Sequence, residues 1–268
     1  MPTLSAVIVA RNEADIIEGC LQLLDFVDET VVIIDDRSTD DTAKLAKTAG
    51  AKVYEYTFKD FADLKNFGIS KATGEWILVV DADERIPAKL GQEIIKTVKT
   101  TTQIAFYLRR DSYFFGRKMT AGGWQEEKIL RLFKAGVAEF QGDIHEDLVF
   151  HQDDPGIGLL NYSFAHFSHR SIKHNVAKTN NYADVQAGEM LAAGYPKIRK
   201  RTLFRVIFNE FWLRMIKKQA WRDGMPGIIE GLYQPFSLFV VYVRLWELQQ
   251  KPTLEERYKE LEKQLHGN

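Results

Sequence analysis

Cysteine is almost absent: Cys20 stands alone in 268 residues. That excludes an internal disulfide framework and suits a reducing compartment. Cys20 falls in a helically spaced apolar set (Ile16, Ile17, Cys20, Leu21, Leu24), so it reads as a small buried residue rather than a nucleophile. Net charge is nearly absent as well. With 36 Lys/Arg against 37 Asp/Glu the balance is −1, and no global basicity points to nucleic acid. Long apolar runs are missing too. A spanning helix needs about 20 apolar residues, whereas the longest uncharged, mostly apolar stretch towards the C-terminus, 231–243, has 13. The N-terminus lacks a basic leader and Arg11 interrupts its apolar run, so no signal peptide is expected. Neither an internal repeat nor a low-complexity linker occurs. Together these absences predict a cytoplasmic protein, integral to no membrane but able to lie on the inner face of the cytoplasmic one.

What is present is enough for a full core, at 45% hydrophobic residues. The first hundred residues alternate short β-branched apolar runs with helical patterns. Leu4–Ala10, Thr30–Ile34, Lys52–Tyr56 and Trp76–Val80 read as strands. Glu13–Asp25, a helix opened by Ser38 and Asp41 and ended by Gly50, and Ala62–Ala72 read as helices. This alternation predicts an α/β fold with a parallel sheet covered on both faces. After about Thr100 the pattern changes to antiparallel strands at Ile104–Arg109, Lys128–Phe133, Val137–Gln141 and Gly158–Phe164. From Ser171 it is helical, over 171–193, 198–222, 226–249 and 253–266, with Thr253 and Glu256 as a capping box. The expected division is 1–170 for the sheet-bearing part, with an α/β half over 1–100 and an antiparallel half over 101–170, and 171–268 for the helical region.

In an open parallel sheet, ligands bind beyond the carboxyl ends of the strands. Strand one ends in Arg11-Asn12-Glu13, strand two in Asp35-Asp36-Arg37-Ser38, and strand four in Asp81-Ala82-Asp83-Glu84. Alternation sends Asp81 and Asp83 the same way, so both can meet one hard divalent cation, which takes one or two carboxylates together with substrate phosphates. Taken alone, the D-x-D suits a solvated turn capping the helix at Pro87 equally well.

The combination is more specific. The strand ending in A-R-N-E, the segments I-I-D-D-R-S-T-D-D-T and K-N-F-G-I-S-K-A-T-G-E-W-I-L-V-V-D-A-D-E, and their spacing resemble family 2 glycosyltransferases of the GT-A fold. The resemblance covers residues 4–90 well and continues weakly through 122–136 and Ile144-His145-Glu146-Asp147. It implies a Rossmann-like, mostly parallel sheet with an antiparallel acceptor-side extension and a C-terminal helical region. It also implies roles. Ala10, Arg11 and Glu13 would line the nucleotide pocket. Asp36, with Asp35 nearby, would bind the base, and Lys65 and Asn66 would face the donor. Asp81 would reach ribose or metal, with Ala82 on the nucleotide side. Asp83 would be the principal ligand of Mn²⁺ or Mg²⁺. Arg37 replaces the glycine of the family's usual V-D-D-G-S, which points to a subgroup.

Inverting transfer needs a base for the acceptor hydroxyl proton. By the same resemblance it lies among Glu126 and Glu127, ahead of Arg131, with Glu127 favoured and Glu146 a further candidate. His145 would be a third metal ligand. His166 and His169, three apart on a strand, tend to face opposite sides and read as incidental or acceptor-lining.

The segment 197–222 carries nine Lys/Arg against Glu210 alone, a local balance of +8. Within it Phe204, Phe208, Phe211, Trp212 and Met215 share a helical face flanked by Arg201, Arg205, Lys217, Lys218 and Arg222. Such a helix suits an anionic headgroup boundary, or else packs as an ordinary core helix. The C-terminal part is similar to bacterial lipopolysaccharide-core glucosyltransferases. That implies a UDP-sugar donor and a lipopolysaccharide-like or other lipid-linked glycan acceptor. Two other classes compete: a sugar nucleotidyltransferase, disfavoured because no glycine-rich loop follows strand one, and a non-catalytic binding protein of the same fold.

Overall fold

The computed structural model describes residues 2–125, 127–142, 147–152 and 156–266. The apolar runs form the centre of the sheet. Strands β1 (Leu4–Ala10), β2 (Glu29–Asp35), β3 (Lys52–Tyr56) and β4 (Trp76–Asp81) lie parallel in the order β3-β2-β1-β4. Their runs are continuous rather than alternating because both faces are covered. Ala6, Ile8, Leu78 and Val80 join one core with Ile17, Cys20, Leu90 and Ile94. Val7, Ile33, Ile77 and Val79 join a second core with Ala62 and Leu64. Each fully buried Val, Leu or Ile among them contributes about 1.5–3 kcal/mol. The helices responsible are α1 (Ile17–Leu21), α2 (Thr42–Thr48), α3 (Phe61–Lys71) and α4 (Ala88–Thr100). α3 comes so close to the sheet that a Cβ on Gly68 would stand 2.6 Å from Val7 Cγ1. A glycine is therefore required there.

Two local expectations are corrected. The helix expected over Glu13–Asp25 shortens to α1, because Asn12 takes a positive φ of 53° and the N–H of Ala14 goes to Asp40 Oδ2 rather than into a helix. Asp40, not Ser38, satisfies the start of α2: its Oδ1 accepts from Thr42 N and Thr42 Oγ1.

Beyond β4 the sheet turns antiparallel. After β5 (Glu84–Arg85) come β6 (Ala105–Phe114), β7 (Arg117–Lys118), β8 (Lys128–Lys134), β9 (Ala138–Gln141), β10 (Asp147–Phe150) and β11 (Ile157–His169). The order continues β4-β8-β6-β11-β5, while β9 and β10 pair separately. β5 follows β4 almost directly in the chain yet lies at the far end of this order, so the sheet curls. β11 closes the curl: His166 sits opposite Glu84, and Phe167 N donates to Asp83 O at 2.9 Å. This returning strand shapes the candidate site.

Glu29 ties the opposite end of the sheet together. It accepts from Ser5 Oγ and Lys52 Nζ, each at 2.6 Å, and from the amide and hydroxyl of Thr73. Burial opposes its ionisation, but these donors prevail and hold its carboxyl at about 2, below the ordinary 4.5. A depressed folded-state value stabilises above the unfolded value and is lost as pH falls through the folded one. Glu29→Gln is therefore expected to cost about 1–3 kcal/mol at pH 7 and progressively less as pH falls from about 4.5 to 2, as measured by denaturant melts.

The chain divides into two compact units, Met1–Tyr113 with Gln125–Ser168, and Phe114–Trp124 with His169–Asn268. The second contains α5 (Ile172–Ala192), α6 (Lys200–Phe211), α7 (Gly224–Leu248) and α8 (Leu254–His266). Within it α5 and α6 both pack on α7. The segment 114–124 belongs to this unit through Asp223, which is fully buried and accepts from Thr120 N, Thr120 Oγ1 and Ala121 N. Gly122, at φ 74°, leaves room for the Trp124 ring, which a Cβ there would strike.

The expected continuous helix 198–222 is broken. After α6 the chain makes a π-helical turn, Trp212–Lys217, in which Lys218 N reaches back to Leu213 O at 2.8 Å. Gln219 then takes a left-handed φ of 55°, which ends the helix. A 3₁₀ turn, Ala220–Asp223, leads into α7. The stretch Ala220–Leu248 is long and apolar enough to cross a membrane by length and composition, which the count of uninterrupted apolar residues did not show. Its Glu230 is fully buried inside the unit, with Oε1 accepting from Gln234 and Oε2 2.7 Å from His169 Nδ1. α8 has the reciprocal Thr253–Glu256 cap.

Candidate active site

The strand tips deliver their polar residues to one edge. At the end of β1, Ala10 is buried and Arg11 exposed. The left-handed Asn12 folds back onto the β2 tip, with its N–H on Ser38 Oγ at 2.9 Å and its Oδ1 accepting from Thr39 N at 2.8 Å. Glu13 N donates to Thr42 Oγ1. Asp35 is buried under Arg37, whose guanidinium grips it through two nitrogens and lies 3.7 Å over the Phe58 ring. Burial alone would raise the Asp35 carboxyl, but Arg37, with Arg11 at 4.0 Å, holds it below the usual range. Asp36 is exposed, with Oδ1 facing Phe58 N at 3.4 Å. The glycine replacement thus has a use: Arg37 neutralises Asp35 and leaves Asp36 directed outwards.

At the end of β4 the carboxylates divide. Asp81 is held by Arg131 Nη2 at 2.5 Å and Lys65 Nζ at 3.7 Å. Burial pushes its carboxyl up, but the two cations outweigh this and keep it well below the ordinary range. Glu84, almost fully buried, receives the same guanidinium at 2.7 Å and the Asp81 N–H at 2.9 Å. Burial raises its carboxyl despite Arg131. Ala82 is buried between them and its carbonyl accepts from Arg85.

Asp83 points elsewhere, with Oδ2 3.4 Å from His166 Nε2. The other imidazole nitrogen, Nδ1, is buried without a hydrogen-bond partner among the described residues. A carboxylate oxygen beside an imidazole nitrogen is a donor pair a divalent cation accepts. Among the described residues no group of three such side chains converges. His145, Glu146 and Glu126 lie outside the described residues. Lys65 is buried on α3 and also faces the Phe140 ring. Asn66 exchanges two 2.8 Å hydrogen bonds with the backbone of Phe140, so its carboxamide anchors β9. Glu127 is ion-paired with Arg110. Burial, together with the Arg131 charge, pushes the Arg110 guanidinium below its ordinary range, although Glu84, Asp81 and Asp83 oppose this.

Residues 5–173, more than half of the chain, match the family described as Glycosyl transferase family 2. The chain belongs to that family. An uncharacterized glycosyltransferase of Rickettsia typhi is 28% identical over 264 residues, covering 94% of this chain and 89% of that protein. LpsC of Rhizobium meliloti, a lipopolysaccharide core biosynthesis glycosyltransferase, is 25% identical over 269 residues, covering 94% and 96%. The mannosyltransferase PcManGT from Pyrobaculum calidifontis, solved with GDP-Man and Mn²⁺, aligns over 93% of this chain and 88% of its own, with TM-score 0.51 and 15% identity. That likeness shows the fold, α/β of the GT-A type.

In this family 2 glycosyltransferase, sequence reasoning missed three side chains of the cluster. Arg131 served only as a landmark for the base, although an arginine inside a buried strand signals buried acids nearby. Glu84 is, in sequence, only one more acid of the run 81–84. His166 reads as incidental or acceptor-lining, because nothing in its spacing shows that β11 returns to Asp83.

Proposed function

We propose that this glycosyltransferase moves a sugar from a UDP-sugar to a hydroxyl of a glycan or glycolipid, with inversion and with Mn²⁺ or Mg²⁺. The observation that carries the reading is the separation of roles at the β4 tip: Asp81 neutralised by Arg131 and Lys65, Asp83 paired instead with an imidazole. The outward Asp36 carboxylate is suited to accept from the N–H of a base, with Ala10, Arg11 and Glu13 beside it. Asp83 and His166 would hold the cation together with the diphosphate, and His145 remains a candidate third ligand. A bound cation would stabilise the negative charge that builds on the departing diphosphate. Lys65 and Arg131 keep Asp81 ionised and offset its charge where two phosphates must sit. Glu127, ion-paired with Arg110, is the described candidate base; Glu126 and Glu146 are the alternatives.

The reading is tested by melting the protein with a panel of nucleotide-sugars, with and without Mn²⁺. A ligand at a hundred times its Kd stabilises the folded state by about 2.7 kcal/mol, a rise of roughly 5–10 °C for a chain of this size. No Mn²⁺-dependent rise with any UDP- or GDP-sugar would refute it.

The second unit supports an acceptor at a membrane. α6 has no buried residue, and Phe204, Phe208 and Trp212 are 77%, 60% and 51% exposed along one face. Phe211 is half-buried, and Met215 turns inward to pack beside Phe114 and Trp124. The stripe is therefore surface rather than core over most of its length, and Arg201, Lys217 and Arg222 are exposed around it. Aromatics with flanking cations suit the inner, anionic leaflet, which makes the enzyme cytoplasmic and peripheral. Neutralising Arg201, Lys217 and Arg222 is expected to weaken sedimentation with phosphatidylserine vesicles by about 1 kcal/mol per charge, roughly a hundredfold in all at low salt. Unchanged binding would remove the membrane reading and leave the transferase untouched.

A further inference from the structure

The helical unit contains a cavity of about 160 Å³ walled by α5, α7 and His169. Its chemistry is unlike that of the β4 tip. Asn175 is 3% exposed, and neither its Oδ1 nor its Nδ2 has a hydrogen-bond partner among the described residues. Around it stand Thr179, Tyr182, Gln186, Tyr233 and Gln234. A buried carboxamide with both ends unsatisfied is costly unless something in the cavity pairs with it.

We propose that this cavity is a second carbohydrate site, which takes one neutral pyranose ring. The assignment of that ring to the acceptor glycan rests on the sugar-transfer reading; the binding chemistry does not. One carboxamide offers an acceptor and donors side by side, and two adjacent hydroxyls, each able to donate and accept, satisfy both ends at once. The match holds whichever way the amide is turned. Tyr182 and Tyr233 provide ring surface for the C–H face of the sugar. The Tyr233 hydroxyl, paired with Thr179 at 2.7 Å and raised by burial, stays protonated and keeps that wall neutral. An anionic ligand is disfavoured, because Lys178 is the one permanently charged lining residue and sits exposed 5.6 Å from the Tyr182 ring. An apolar ligand would leave Asn175 unpaired. The volume is below the roughly 300–1,000 Å³ of drug-sized sites and suits a single ring.

Saturation-transfer NMR on the full chain with methyl gluco-, galacto- and mannopyranosides at millimolar concentration tests this. At least one glycoside is expected to bind, at least tenfold more weakly to Asn175→Leu, equally well to Asp83→Ala, and undisplaced by saturating UDP with Mn²⁺. Asn175→Leu is expected to melt no lower than the wild type, since it removes two unpaired buried polar groups. Gln186→Ala repeats the test on a half-buried lining residue, with a similar loss expected. Absence of binding to the wild type, displacement by UDP, or unchanged binding in both variants would overturn the proposal. A chain that binds UDP with Mn²⁺ but no glycoside defeats this pocket alone. The converse result leaves the pocket standing and defeats the transferase reading.

Discussion

Arg131→Met is expected to destabilise the first unit by about 3–5 kcal/mol, the cost of removing one partner from a buried ionic cluster. Arg131 is 6% exposed, and its guanidinium spans two carboxylates, Asp81 Oδ2 at 2.5 Å and Glu84 Oε1 at 2.7 Å. Without it, Glu84 remains almost fully buried beside a like charge. Desolvation and repulsion then both favour its protonated form. A carboxyl whose folded-state pKa rises above the unfolded value is harmless below the unfolded value and costs stability as pH climbs through the folded one. The variant should therefore lose more stability at pH 8 than at pH 5. Adding Glu84→Gln should restore part of the loss, because only one acid then remains for Lys65 to balance. Against a total stability of about 5–15 kcal/mol, the single variant would melt far below the wild type. Equal melts at pH 8 would show that the cluster contributes little.

The same cluster shows what a single chain reveals to a reader. β1, β2 and β4 are legible because a parallel strand covered on both faces must be apolar throughout, and the acids that follow such runs must lie at the strand ends. That reasoning located Asp35, Asp36, Asp81 and Asp83 without any contact being known. It could not find Arg131 or His166, which arrive from β8 and β11 through antiparallel pairing and a curled sheet; register across so many intervening residues leaves no local periodic trace. Asn66 illustrates the converse. It stands beside Lys65 on α3, yet its side chain is spent on the backbone of β9. In the helical half, α5, α7 and α8 follow from their patterns and caps. The break after α6 does not, because a π-type hydrogen bond and a left-handed Gln219 depend on packing rather than on propensity. Exposure of the aromatic stripe was likewise undecidable from spacing, since core helices and surface helices share the same period.

Asp83→Ala should cost the most activity for the least stability. Its carboxylate is aimed at His166 rather than at the Arg131 cluster, and the backbone contact that fixes the turn, Phe167 N to Asp83 O at 2.9 Å, survives in alanine. The melting temperature without ligand should change little, by less than about 1 kcal/mol as for most partly exposed sites. Transfer should fall about a thousandfold. The cation's stabilisation of the departing diphosphate is several kcal/mol, and each 1.36 kcal/mol is a factor of ten in rate. The Mn²⁺-dependent part of the donor's thermal shift should vanish with it. Glu127→Gln separates the two halves of the chemistry: a base can be lost without disturbing the cation, so the Mn²⁺-dependent shift should persist while transfer drops by roughly 10²–10⁴. If Asp83→Ala keeps both its rate and its Mn²⁺-dependent shift, the carboxylate beside His166 does not hold the donor's cation, and the division of labour at the β4 tip must be drawn differently.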